Sequence, residues 1–449
     1  MLENKTIYGL ATPPGRSAIA VIRISGPLTV PILKKIFRSK KEYQKFPSRK
    51  MLKGEIIDWE NNELIDEVML TIYYSPNSYT GEDMAEIFSH GGFYIPQRIC
   101  ELLKKAGAFL AEPGEFTKRR FFNGKIDLLQ AEALLSLISA QTEKQAKMAL
   151  SQLRGETSFL IKNFSEEIKE LLALTEYLIE FADEEEEKKI GSNIREKIIS
   201  LNERMEKILK KTNFQNKIFQ GIRTVLAGRT NVGKSSLFNQ LVGRERAIVT
   251  EIPGTTRDVI EATVDINGVP FIFCDTAGID FNMNLIDELS VKKTKEYLEN
   301  ANLILLIFDI SLPPQKADYD LLKMTEKRPR FIILNKKDLP HKFPLDFFGK
   351  EPYITISAKY GEGIEEIIKK LREYIKNFYS DSDTFLFLER QIDCLENALK
   401  AFKKTLDTPY WEGVAEELKT ALNYLKELLG ETTNEEILDK IFSQFCIGK

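Results

Sequence analysis

Eight residues, Gly228-Arg229-Thr230-Asn231-Val232-Gly233-Lys234-Ser235, constrain this chain more than any other stretch. They fit the pattern G-x-x-x-x-G-K-[ST], which requires a strand to run into a glycine-rich loop and the loop to open a helix. Ile222 to Ala227 reads as that strand, and Ser235 to Leu241 as the helix. Glycines are demanded because backbone N–H groups must turn inward and come close to phosphate oxygens. Lys234 then supplies positive charge to β- and γ-phosphates, the Ser235 hydroxyl suits Mg²⁺, and the helix points its positive end at the anion. Asn231, Val232, Gly233, Lys234, Ser235 and Ser236 make up the expected phosphate cradle. One such match arises by chance roughly once or twice per hundred chains of this length, so alone it only suggests a nucleotide site.

Three further elements follow in order. Val259 to Ile266, an Asn267-Gly268 turn and Val269 to Phe273 read as a hairpin. It leads into Asp275-Thr276-Ala277-Gly278, where a strand-end carboxylate can serve the Mg²⁺ shell and Gly278 can offer its N–H to a γ-phosphate. Phe331 to Leu334 runs into Asn335-Lys336-Lys337-Asp338, whose Asp338 can accept from guanine N1–H and the 2-amino group, which adenine lacks. Strand Tyr353 to Ile356 delivers Ser357-Ala358-Lys359, with the Ala358 N–H suited to guanine O6. Between the first two elements lies Thr250-Glu251-Ile252-Pro253-Gly254-Thr255-Thr256, a loop of the kind that orders around γ-phosphate and Mg²⁺, with Thr256 as the second Mg²⁺ ligand. Four elements on the ends of successive strands imply a GTP-hydrolysing α/β domain spanning about Ile218 to Ser380. Ile279 stands where Ras-like enzymes carry a water-orienting glutamine, so hydrolysis needs other positive charge and another water-positioning group. Asn231, facing the 250–256 loop, could hold a monovalent cation there.

The rest of the 449 residues needs further domains, since one core seldom organises so long a chain. About 1 to 118 is mixed, with Ile19 to Ile24 and Glu67 to Tyr74 as strands and Pro96 to Ala106 as a helix stopped by Gly107. From about 119 to 217 the texture is helical, apolar residues recurring at three- and four-residue spacing, with the acidic run Asp183 to Glu187 expected in a solvated connection. After the 218–380 domain, helices return over 381 to 449: Phe385 to Leu406, Ala415 to Leu429 stopped by Gly430, and a short one to Phe442 capped by Thr433. The expected fold class is therefore α/β plus α, a mostly parallel sheet flanked by helices and inserted in a split helical domain, preceded by an α+β domain. A net charge of −3 argues against a chain coated for nucleic acid, and the clusters Lys34-Lys35, Lys40-Lys41 and Lys118-Arg119-Arg120 with Lys125 read first as solvated faces. No apolar run reaches the ~18 residues of a membrane span, no secretion signal opens the chain, and no Cys-x-x-Cys pair occurs, all of which fits a reducing cytoplasm.

Outside the nucleotide loops the sequence carries its own strings. They are Ala11-Thr12-Pro13-Pro14-Gly15-Arg16, Arg23-Ile24-Ser25-Gly26, Ser78-Tyr79-Thr80-Gly81-Glu82-Asp83 and His90-Gly91-Gly92. Glu112-Pro113-Gly114-Glu115-Phe116-Thr117, Lys125-Ile126-Asp127-Leu128, Gln130-Ala131-Glu132-Ala133 and the terminal Phe445-Cys446-Ile447-Gly448-Lys449 follow. In these strings and their order the chain closely resembles the MnmE (TrmE) family of tRNA wobble-uridine-modifying GTPases, over essentially its whole length. The resemblance implies an amino-terminal domain that binds a tetrahydrofolate derivative (5-formyl- or methylene-tetrahydrofolate) and forms a homodimer. It also implies G domains activated when two meet across K⁺ bound by Asn231, Thr250, the Ile252 carbonyl and Thr255. Matching positions place folate at Arg23, Glu86, Lys125 and Lys449. The family works with a flavin-dependent partner, MnmG, in a heterotetramer that adds a carboxymethylaminomethyl-type group at C5 of the wobble uridine of certain tRNAs. Members carry a water-positioning glutamate in a Val-Glu-x-Ile/Leu-Gly setting; here Ile286-Asp287-Glu288-Leu289-Ser290 puts Asp287 there, one methylene shorter, with Glu288 beside it. Lys234, Thr255 and Asp287 are thus the candidate catalytic residues.

Some residues read more plainly. His90 fits a hydrogen-bonded structural histidine better than a proton carrier. Cys100, Cys274 and Cys394 sit in apolar patterns, while Cys446 is better suited to a positional than a redox role. The competing reading is a regulatory or ribosome-assembly GTPase without a direct part in RNA chemistry; a folate-dependent transferase with a regulatory G domain is a third.

Overall fold

The computed structural model describes residues 5–244, 247–248, 260–275, 298–376 and 388–449. The chain forms two compact units. Met1–Leu135, Gln152–Ile199 and Asn397–Lys449 make the first, and Ser136–Ser151 with Ser200–Glu396 the second.

The first unit opens with seven strands: β1 (Ile7–Leu10), β2 (Gly15–Ser25), β3 (Phe37–Arg38), β4 (Leu52–Asp58), β5 (Glu63–Tyr73), β6 (Met84–Gly92) and β7 (Phe109–Leu110). They pair in the order β3-β4-β5-β6-β2-β1-β7, antiparallel except for β1 beside β7. Helices α1 (Thr29–Ile36), α2 (Tyr94–Lys105) and α3 (Glu115–Phe122) interleave with them. The period-two alternation of side chains decides which face each helix covers. Ile22, Ile24, Leu70, Ile72, Ala85 and Ile87 share one core with Ile32, Leu33 and Ile36 of α1 and with Ile99, Leu102 and Leu103 of α2. The alternate residues of the same strands fall on the opposite face. There Arg23 lies across from Glu86, and Tyr73 across from Met84.

Four helices follow: α4 (Leu128–Ser139), α5 (Glu143–Leu153), α6 (Glu156–Phe181) and α7 (Glu184–Gln220). The acidic run expected in a connection instead forms the first turn of α7. The Asp183 carboxylate accepts from the N–H groups of Glu185 and Glu186 (3.1 and 2.9 Å), and glutamates in a first turn oppose the positive helix end favourably.

The second unit holds β8 (Ile222–Ala227), α8 (Lys234–Arg244), β9 (Ala247–Ile248), β10 (Ile260–Ile266), β11 (Val269–Asp275), β12 (Leu303–Asp309), α9 (Lys316–Met324), β13 (Arg330–Asn335), β14 (Tyr353–Thr355) and α10 (Ile364–Lys376). The sheet order is β14-β13-β12-β8-β11-β10-β9, parallel from β14 to β11. β12 is buried along its whole length, as a strand covered on both faces must be. Its Leu303, Leu305 and Ile307 pack with Leu237 and Leu241 of α8 and with Ile364, Ile367, Ile368 and Leu371 of α10. Its Ile304, Leu306 and Phe308 join Leu321 of α9, Phe343 and Phe348 on the other side. The Asn267-Gly268 turn closes the β10–β11 hairpin with positive φ at both residues (56° and 81°), as that dipeptide demands.

The chain closes with α11 (Glu389–Asp407), α12 (Trp411–Leu429) and α13 (Glu435–Phe442). Within the first unit α12 lies along α6, where Lys419 pairs with Glu176 at 2.9 Å. Gly430 ends α12 in the left-handed conformation (φ 90°). Asn434, not Thr433, caps α13: its side chain accepts from Glu436 N–H, while the Thr433 hydroxyl donates back to the Glu427 carbonyl at 2.9 Å. Basic residues 118–120 are also more than a solvated face. The Arg119 side chain is 2% exposed, bonded to the Lys5 carbonyl and the carboxylates of Glu82 and Glu115. No helix among the described residues is long and apolar enough to cross a membrane.

Candidate functional site

In the second unit the loop after β8 runs from Gly228 to Gly233, with Asn231 and Gly233 at positive φ (65° and 98°), and α8 begins at Lys234. The ammonium of Lys234 is buried beneath the loop, donating to the carbonyls of Gly228 and Arg229 at 2.9 Å each. Ser235 and Ser236 lie exposed at the start of α8. Val232 is buried, and its carbonyl accepts from Nδ2 of Asn335 at 2.8 Å.

Asn335, at the end of β13, is the joint of the arrangement. It is 3% exposed, and its Oδ1 accepts from Ala358 N–H at 2.9 Å while its Nδ2 reaches Val232. One carboxamide therefore spans the glycine-rich loop and the loop after β14. A Cβ at position 233 would stand 2.2 Å from that Nδ2, so glycine is required by the joint as well as by φ. Asp338 accepts from the Ser357 hydroxyl at 2.5 Å, which places its carboxylate beside the Ala358 N–H region. Lys336 has φ 67° and pairs with Asp309, at the end of β12, at 2.6 Å. Burial pushes the Asp309 carboxyl up, yet donation from Lys336 and from the Ser311 hydroxyl and N–H outweighs it and leaves the group below its ordinary value.

Asp275 ends β11 with both carboxylate oxygens buried and unpartnered among the described residues. Leaving two such acceptors dry is costly unless a cation takes them, so the position fits a hard divalent ion. Thr250, Glu251, Ile252, Pro253, Gly254, Thr255, Thr256, Thr276, Ala277, Gly278, Asp287 and its neighbour Glu288 lie outside the described residues. Of the residues expected to ligate K⁺, only Asn231 is described.

The first unit holds a separate cavity of about 410 Å³ on the face of its sheet opposite α1 and α2, where Phe116 of α3 also packs. Arg23, Arg49, Tyr73, Tyr79, Glu86 and Lys125 are among its lining residues. Arg23 Nε donates to Glu86 at 2.9 Å, and its Nη1 donates to the Gly448 carbonyl at 3.0 Å, which ties the terminal tail to the cavity wall. Gly448 has φ 93°, and a Cβ there would stand 2.5 Å from the Leu10 carbonyl oxygen, so only glycine lets the tail lie this close to β1. Burial, then the nearby Arg23 charge, holds the Lys449 ammonium below its usual value. An excess of cations over the lone Glu86, walled by two tyrosines, suits a ligand with an aromatic ring and carboxylates. Arg23, Glu86, Lys125 and Lys449, spread over the sequence from one end to the other, are thus brought together. Arg49, Tyr73 and Tyr79 were not expected in this site; Tyr73 lay in an expected strand and Tyr79 in one of the strings above.

His90 is hydrogen-bonded to Asp66 at 2.7 Å, the structural role its setting suggested. Cys274 and Cys394 are buried, Cys100 half-buried and Cys446 exposed. Burial pushes the Cys100 thiol up to about 11 and the Cys274 thiol up to about 12.

Residues 6–125 match the family described as "GTP-binding protein TrmE N-terminus", and residues 128–446 the one described as "MnmE helical domain". The second match brackets the whole glycine-rich loop and sheet. The chain is 41% identical to a protein of Aquifex aeolicus over 453 residues, covering 99% of this chain and 100% of that one. It is 37% identical to proteins of Natranaerobius thermophilus and Clostridioides difficile, with both chains of each pair covered in full. All three relatives carry the name "tRNA modification GTPase MnmE".

Proposed function

Because the chain belongs to the MnmE family of tRNA modification GTPases, we propose that it is a K⁺-activated GTP hydrolase that uses a folate one-carbon unit to build the 5-substituent of the tRNA wobble uridine. It acts with a flavin-dependent MnmG-type partner as a heterotetramer around its own homodimer, and the substituent is of the carboxymethylaminomethyl type. The observation that carries this reading is the presence, in one chain, of a phosphate loop joined through Asn335 to the base loop and of a cationic cavity tied to the terminal tail. A regulatory or assembly switch would leave that cavity unexplained.

In the nucleotide site, Asp338 selects guanine, and Asn335, whose Oδ1 holds the Ala358 N–H, keeps the base loop in register with the phosphate loop. Lys234 and the loop N–H groups draw charge from the β- and γ-phosphates as it builds. Asp275, Ser235 and Thr256 are the residues that would hold Mg²⁺, which would offset the phosphate charge. Asn231, Thr250, Ile252 and Thr255 would hold K⁺, which would supply the positive charge an arginine finger gives elsewhere. Asp287 orients the attacking water, with Glu288 as its alternate. In the cavity, Arg23, Lys125 and Lys449 would meet the carboxylates of the folate, and Glu86 would accept from its ring N–H groups.

Two assays test the reading on the full chain. GTP turnover measured in KCl and then in NaCl is expected to be many-fold faster in KCl, with the difference lost in Asn231→Ala. Binding of 5-formyl-tetrahydrofolate is expected for the wild type and lost in Arg23→Ala. Equal turnover in the two salts would overturn the K⁺ assignment, and folate binding that ignores Arg23 would overturn the cavity assignment.

A further inference from the structure

Arg229, the first variable residue of the phosphate loop, makes an ion pair for which the loop's pattern gives no reason. Its Nε donates to Asp318 Oδ1 at 3.0 Å, with the two side chains 9% and 1% exposed. Asp318 stands in the first turn of α9, and its other oxygen accepts from Gln315 N–H at 2.8 Å, so the carboxylate is fixed by its own helix. On the loop side, the carbonyl of the same Arg229 is one of the two that hold the Lys234 ammonium. The residue tethered through its side chain to α9 therefore presents the lysine through its backbone.

The neighbouring position cannot absorb a shift. A Cβ on Gly228 would stand 2.4 Å from the Ile307 carbonyl oxygen, so the backbone there already lies hard against β12. If Arg229 let go, the free motion left would be rotation of its peptide groups, which would swing the Lys234 acceptors. Burial raises the Asp318 carboxyl above its ordinary value, with a smaller push from the Asp309 charge, against the Gln315 N–H and Arg229, which favour its charged form. A buried ion pair of this kind is weak support for fold stability, because a well-packed apolar pair often does as well. What an apolar pair cannot supply is a directional tether.

We propose that the Arg229–Asp318 pair is a positioning brace that sets the phosphate-loop lysine, and that its purpose lies in the nucleotide site rather than in the stability of the unit. It rests on the reading that Lys234 faces the phosphates. Asp318 touches no nucleotide group itself; it acts through Arg229 and the loop backbone.

The test uses the full chain saturated with Mg·GDP and reads the ³¹P resonances of the bound nucleotide, with GTP turnover and thermal unfolding measured alongside. Four proteins besides the wild type are compared: Asp318→Asn, Asp318→Glu, the paired Arg229→Met/Asp318→Leu, and Lys234→Ala. Asp318→Asn is expected to displace the β-phosphorus signal with little change at the α-phosphorus, and to slow turnover about tenfold or more, the scale of a misplacement below 1 Å. The apolar pair is expected to unfold near the wild-type temperature yet keep the displaced signal and slow turnover, while Asp318→Glu recovers part of both. A wild-type β signal and turnover within twofold in either Asp318→Asn or the apolar pair overturns the proposal; if Asp318→Asn does not fold, the apolar pair decides alone. Should Lys234→Ala leave the β signal unmoved, the lysine assignment falls and the brace with it. If Lys234→Ala displaces the signal and the Asp318 variants do not, only the brace falls.

Discussion

Asn335→Ala tests how much the nucleotide site depends on one carboxamide. The substitution deletes two hydrogen bonds, to Val232 C=O and from Ala358 N–H, each contributing about 0.5–1.5 kcal/mol net. It also strands both backbone partners in a buried setting, and an unsatisfied buried group costs about 1–3 kcal/mol. Water entering the vacated space would relieve part of this, so a loss of about 2–5 kcal/mol is expected. For a domain of ~150–250 residues, about 2–4 °C of melting temperature goes with each kcal/mol, which predicts a fall of roughly 4–20 °C. Because the carboxamide joins the phosphate loop to the base loop, affinity for guanine nucleotides should fall by about tenfold or more, tenfold corresponding to about 1.4 kcal/mol. Differential scanning calorimetry and titration with fluorescent GDP read the two quantities. Asn335→Asp keeps the acceptor for Ala358 but sets a carboxylate oxygen against the Val232 carbonyl, so it should bind GDP no better than Asn335→Ala. An Asn335→Ala protein that melts within a degree of wild type and binds GDP within twofold would refute the reasoning.

The remaining predictions concern other parts of the molecule. Gly448→Ala meets both a positive φ and the Leu10 carbonyl, so it should weaken folate binding tenfold or more by equilibrium dialysis while GTP turnover stays within twofold. A thiol reagent at pH 8 should modify Cys446 first by mass spectrometry, with Cys274 and Cys100 protected until the chain unfolds, since both are held protonated by burial. Asp309 titrates below its ordinary value in the fold, so it stabilises the fold fully above the ordinary carboxylate pKa of about 3.9, and that contribution fades as pH falls below it. Asp309→Asn should therefore lower the melting temperature at pH 7 and show a shallower loss below pH 4 than the wild type.

The second unit was legible because its constraints are local. A strand, a glycine turn and a helix succeed one another within about twenty residues around Lys234, and each later loop sits on the end of a buried apolar strand. Ile222–Ala227 agrees with its expected span residue for residue, and the other expected strands of this unit differ by one or two residues at their ends. What escaped were contacts between distant positions. Nothing in a glycine-rich pattern says that Arg229 will reach a helix 89 residues on. Arg119 was hidden by its neighbours, since a run of three cations reads as surface until Glu82 and Glu115 are known to surround the middle one. The acidic run before α7 went astray for the opposite reason: charge density suggested a loop, whereas a capping aspartate and the helix dipole make it a helix start. The cavity in the first unit was reached through resemblance, because its walls come from β2, β5, β6 and the terminal tail, which no short pattern brings together.

The central claim is that GTP handling by this chain drives modification of the tRNA wobble uridine. Mass spectrometry of wobble nucleosides tests it most directly, in cells whose single copy of this protein is deleted and then complemented with wild type or with Lys234→Ala. The 5-substituent is expected to disappear on deletion, return with the wild type and stay absent with Lys234→Ala. A nucleoside profile unchanged by the deletion, or fully restored by Lys234→Ala, would contradict it.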